Sequence, residues 1–144
     1  MSTEQNKALA RQLIEEVFNR GNISLVDEIM PPDYVDHEGV PGYPPTREGF
    51  KQSIPMLRSG IPDFNATIDD VVAEGDRVVI RMTFRGTQTG EFMGMPPTGK
   101  SISVGVIDIF RIAGGKLVEH RGQMDSMGMM QQLGAIPTPE QSRS

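Results

Sequence analysis

No cysteine occurs in the 144 residues, which excludes disulfides, thiol nucleophiles and thiolate metal sites together. Tryptophan is also absent, and six Phe and two Tyr make up the whole aromatic complement. Basic residues are in the minority, 14 Lys and Arg against 19 Asp and Glu, for a net charge of −5. With no basic stripe to meet phosphates, a nucleic-acid partner is not expected. No apolar run approaches membrane-spanning length, and the opening MSTEQNKALARQ lacks the apolar core of a signal peptide. A cytoplasmic protein with no membrane partner is the expectation. The glycines of GTQTGEFMG fit neither a nucleoside-triphosphate nor a dinucleotide loop. No serine sits on a strand-to-helix elbow. The two histidines, His37 and His120, have no carboxylate or second histidine at metal-ligand spacing, so no metal is expected. What remains is acid–base chemistry by carboxylates and histidine.

Methionine, in contrast, is plentiful at ten residues, and flexible thioethers fill irregular cores or line adaptable pockets equally well. Helical periodicity predicts an amphipathic helix over Thr3–Asn19, with Ala10, Leu13, Ile14, Val17 and Phe18 inward and Gly21 just past its end. A short second helix follows, with Ser24 and Asp27 as a capping pair and Pro31-Pro32 as its stop. Thr46 caps a third helix through about Ser59, in which Pro55 predicts a kink or break. From Phe64 the pattern alternates. Phe64–Ala73 and Arg77–Gly86 form a hairpin, and Ser101–Ile112 pairs through Ala113-Gly114-Gly115 with a return strand from Lys116 to about Asp125. Helices first and strands afterwards predict an α+β fold, with helices on one face of a curved antiparallel sheet. Residues 1–136 form the domain and the polar stretch 137–144 a flexible tail.

Ile102, Val104, Val106, Asp108, Phe110 and Ile112 share one face of their strand. An acid among apolar neighbours needs a partner, and the return strand offers His120 or Arg121, depending on register. The pair is a catalytic dyad in one reading and a structural ion pair in the other. Asp125 also has two readings. Walled by Met124 and Met127 it would be a desolvated proton carrier, and beside Ser126 it would be a helix cap. His37, Met82 and Phe110 are expected to line a cavity with these groups, with Met93 and Met95 on its rim. Val79, Ile107 and Ile109 fall on the opposite sheet face, where apolar residues predict burial in a homodimer or homotetramer.

The blocks GEFMGMPPTGKSI, IDIFRIAGGKLVEHRGQMD and GMMQQLG, together with the earlier YVDH and AEGDRVVIRMTFRGTQTGEF, resemble the SnoaL-like polyketide cyclases. The resemblance implies the nuclear-transport-factor-2-like cone, a strongly curved antiparallel sheet whose mouth is closed by helices. It implies an intramolecular aldol condensation on a hydrophobic polyketide-like molecule, without metal or organic cofactor. It also implies an acid–base aspartate near the end of the last long strand, matched by Asp125, and an assisting polar residue on the preceding strand, for which Asp108 is the candidate. Arg121 departs from the aromatic that many relatives carry after Glu-His. The same cone serves isomerases, epoxide hydrolases and non-enzymatic binding modules, which stand as the alternatives.

Overall fold

The computed structural model describes residues 2–137; the tail expected at 137–144 lies, beyond its first residue, outside the described residues. Helix α1, Thr3–Gln12, starts in a reciprocal cap: Ser2 Oγ accepts from the Gln5 backbone, and Gln5 Oε1 accepts from the Ser2 backbone. The helix then widens into a π-helical segment, Leu13–Phe18, closed by the Asn19 N–H donating to the Ile14 carbonyl. One extra residue in the turn keeps Leu13, Ile14 and Val17 buried and directs Phe18 towards the cavity described below. Asn19 then holds the start of the sheet, its amide accepting from Ala66 N at 2.7 Å and donating to Ala66 O at 3.0 Å. Gly21 follows at φ +70°, which a side chain would oppose.

The second helical piece is a 3-10 turn, Ile23–Leu25, running into α2, Val26–Ile29. Ser24 lies inside that turn and donates to the Asn22 side chain, so it is not the expected cap. Helix α3, Arg47–Gly60, is capped by Thr46 as predicted, but Pro55 does not break it. Pro55 is on the exposed side, where water can satisfy the carbonyl its ring leaves free. No described helix is long and apolar enough to cross a membrane.

The sheet contains β1 (Val35–Asp36), β2 (Asn65–Glu74), β3 (Arg77–Thr87), β4 (Ser101–Ala113) and β5 (Lys116–Met124), in the order β1-β5-β4-β3-β2. Four strands are antiparallel, as predicted. The fifth corrects the expectation, since β1 pairs parallel with β5 and makes the sheet mixed. Bulges at Ile68/Asp70 and Arg111/Ile112 increase the local twist that curls a sheet. Gly114 and Gly115 turn β4 into β5 at φ +56° and +73°, the double positive φ of a two-residue hairpin. Along β4 the six residues assigned inward are all buried, and the five apolar ones join α1, α3 and the π segment in one apolar cluster. Helix α4, Ser126–Gln132, packs against β4 at the open end of the sheet.

The β3–β4 connection is held from within. Gln88 is fully buried; its amide donates to the carbonyls of Gly90, Met95 and Pro96 and accepts from the Thr98 hydroxyl at 2.7 Å. A buried amide with every bond made fixes a loop that has no sheet or helix of its own.

Candidate active site

Three adjacent strands each bring one ionisable side chain to the same place. Asp36 on β1 is in register with His120 on β5, which in turn faces Phe110 on β4. Two residues back along β4, on the same face, Asp108 stands opposite Gly122 and reaches His120 diagonally. The result is a linear array. His120 Nδ1 lies 2.8 Å from Asp36 Oδ1, and Nε2 lies 2.8 Å from Asp108 Oδ1. Tyr34 extends it, its hydroxyl donating to Asp36 Oδ2 at 3.2 Å. The His120 ring is tilted against Phe110, with centroids 5.1 Å apart.

Burial alone would lower the pKa of His120. The hydrogen bonds to Asp108 and Asp36, with the charges of both carboxylates, overcome it and raise the pKa from 6.5 to about 10. His120 is therefore an imidazolium at neutral pH, and both its N–H groups are committed to carboxylates. Burial, followed by the charge and hydrogen bond of Asp36, pushes the Tyr34 phenol far above its ordinary range, so it stays a donor. Asp36 is occupied on both oxygens. Asp108 is not: among the described residues Oδ2 accepts no hydrogen bond, and it is not sealed in the interior. Asp108 and His120 both line the central cavity.

That cavity has a volume of about 370 Å³. One wall is a group of phenylalanines: Phe18 lies 5.7 Å from Phe50 and 5.9 Å from Phe84, and Phe84 lies 4.9 Å from Phe64. Met56, Met124 and Met129 add thioethers, and Glu38 brings a third carboxylate beside Asp36 and Asp108. Among the described residues no Lys or Arg lines it. Among the described residues no three His, Cys, Asp or Glu side chains are gathered so as to hold a metal ion.

Of the residues singled out from sequence, Asp108, Phe110, His120 and Met93 line the cavity. Met93 sits at φ +51° and is 38% exposed, as a rim residue should be. Four others are placed differently. Met95 forms a bridge with Phe92 and packs against the core rather than the cavity. Met82 is buried in the apolar core and is not among the residues that line the cavity. His37 follows just past the end of β1, exposed, 3.3 Å from Glu119. Asp125 is exposed and caps α4, its Oδ1 accepting from Gly128 N at 2.9 Å. Its neighbours Met124 and Ser126 line the cavity, but Asp125 does not.

The reading from sequence missed Asp36 and Tyr34, and did not see that four of the six phenylalanines meet. The signal for the first two was present: Tyr34 and Asp36 are spaced by two in an extended stretch and so share a face.

Residues 8–133 match the family model of SnoaL-like polyketide cyclases. Aklanonic acid methyl ester cyclase DnrD of Streptomyces peucetius is 30% identical over 145 residues, covering 97% of this chain and 97% of that one. The nogalonic acid methyl ester cyclase of Streptomyces nogalater is 31% identical over 123 residues, covering 81% and 89% of the two chains. Among solved structures, TsrD from Streptomyces laurentii superposes with a TM-score of 0.85 at 34% identity, covering 94% of this chain and 99% of that one.

Proposed function

Because the chain belongs to the SnoaL-like polyketide cyclase family, we propose that it closes a ring in a hydrophobic polyketide-like molecule by intramolecular aldol condensation, with Asp108 as the proton carrier. One observation carries the assignment: the Asp108 carboxylate is tied to the His120 imidazolium through Oδ1, while Oδ2 remains unpaired beside an apolar cavity. Oδ2 removes a proton from carbon next to a substrate carbonyl, leaving an enolate. The enolate carbon attacks a second carbonyl and forms the ring C–C bond. The alkoxide then takes back the proton from Asp108, so acid and base are one group and nothing is consumed. His120 holds Asp108 in position, and Asp36 with Tyr34 holds His120. The phenylalanine wall supports a flat polycyclic substrate by stacking and excludes water from the enolate.

The lining also bears on the substrate's charge. Asp36, Glu38 and Asp108 outnumber the single imidazolium of His120, so the cavity favours a neutral ester over a free carboxylate. The relatives DnrD and the nogalonic enzyme are named for methyl esters, which supports this reading.

The assembly is read as a homodimer or a homotetramer through the outer sheet face. Val72, Val79 and Ile109 are paired across β2, β3 and β4, and Val72 and Ile107 are 61% and 48% exposed.

The deciding experiment supplies a methyl-esterified polyketide precursor to the purified protein and follows ring closure. Turnover lost in a folded Asp108→Asn variant supports the assignment; undiminished turnover overturns it.

A further inference from the structure

Glycine inside a strand weakens it, so Gly122, two residues before the end of β5, calls for a reason of its own. Its φ is not positive, so the backbone there accepts any L-residue. The reason lies above the residue. A Cβ built on Gly122 would clash with Asp108 Oδ1 and stand 2.8 Å from His120 Nε2. The Asp108 carboxylate therefore occupies the space a side chain would fill. It must do so, because Gly122 is its direct partner in register while His120 lies two residues along β5.

We infer that Gly122 is a positioning residue: the missing side chain is what lets Asp108 lie against the imidazolium with its second oxygen turned to the substrate. The inference deepens the assignment of Asp108 and rests on it for its meaning in turnover, but the geometry can be tested without substrate. Gly122 itself lines the cavity and its N–H donates to Glu38 Oε2 at 3.3 Å, while its missing Cβ leaves room for the Asp108 carboxylate and the edge of the His120 ring.

With only two histidines in the sequence, the His120 ring is readily resolved by NMR in the ligand-free protein. In Gly122→Ala, Asp108 is pushed off Nε2, and the His120 pKa falls from about 10 by at least ~1 unit, the scale of a lost neighbouring charge. Turnover falls with it, mainly in kcat, by roughly tenfold or more. A strand merely destabilised by alanine would leave the titration of the folded protein unmoved. Should Gly122→Ala fold poorly, thermal melts complete a double-mutant cycle. Against an Asp108→Ala background the Gly122→Ala change should cost less than against wild type, because the clash with Asp108 is gone and only the contact with the His120 ring remains. A His120 titration unchanged in folded Gly122→Ala, or equal costs in both backgrounds, overturns the inference. The outcomes also separate the two assignments. A shifted titration with unchanged turnover keeps the positioning role and removes Asp108 from the chemistry; an inactive Asp108→Asn beside an unaltered Gly122→Ala does the reverse.

Discussion

Asp36 and Asp108 lie on the two strands that flank β5, and between them they hold both nitrogens of one imidazole at 2.8 Å. Neither acid would be stable there alone, since an uncompensated buried charge costs several kcal/mol. The arrangement makes His120 a cation at neutral pH and leaves Asp108, of the two acids, with an oxygen unpaired among the described residues, which is why we propose it as the proton carrier.

Asp108→Asn keeps the shape of the side chain and removes its basicity, and turnover should fall by roughly 10²–10⁴-fold with the fold retained. Asp125→Asn should stay near wild type, since asparagine caps helices as well as aspartate does. Steady-state rates of the two variants, side by side, decide which aspartate moves the proton. The reverse ranking would return the role to Asp125.

Alkaline pH should loosen the protein. The pKa of His120 is raised from 6.5 to about 10 on folding, so its contribution is complete below 6.5 and declines as pH climbs towards 10. Thermal melts from pH 6 to 10 should show the midpoint falling. The slope should flatten in His120→Gln, which has no proton to lose; an identical slope in the variant would refute the link.

A methyl ester should be preferred to its free acid. One more negative charge near Asp36, Glu38 and Asp108 costs on the order of 1–3 kcal/mol at the effective dielectric of such sites. That corresponds to about tenfold or more in kcat/KM, measurable by competing the two forms. Equal use of both would mean that the lining does not sense substrate charge.

Sedimentation should find a dimer or tetramer at micromolar concentration. Ile107→Glu, placing a charge on the exposed outer face, should shift it towards monomer without unfolding it. A wild-type monomer at all concentrations would refute the assembly.

The α+β order and the inward face of β4 were legible because a strand's period of two survives any tertiary context: Ile102 through Ile112 needed only alternation. The partner of Asp108 was not settled, because the hairpin register depends on a bulge at Arg111/Ile112. That bulge sets His120 opposite Phe110, and Arg121 opposite Ile109 on the outer face. Asp36 was out of reach for another reason. A two-residue parallel strand has no hairpin signal and is placed only by the edge of β5. At Asp125 both signals were visible, and the demand of a helix start for an acceptor prevailed.

The π turn at Leu13–Phe18 has a consequence for how such a cavity changes over time. Deleting one residue from that turn would let it relax to ordinary α-helix with the residues after it close to their present orientation, because a π turn is a one-residue insertion absorbed in place. An ordinary turn has no such slack: an extra residue there would rotate everything after it by about 100°, swinging Phe18 off the wall and taking Asn19 from both its bonds to Ala66. The shape of this site thus depends on a count as well as on a composition. A turn that can widen lets the first helix carry one more residue and keep its wall.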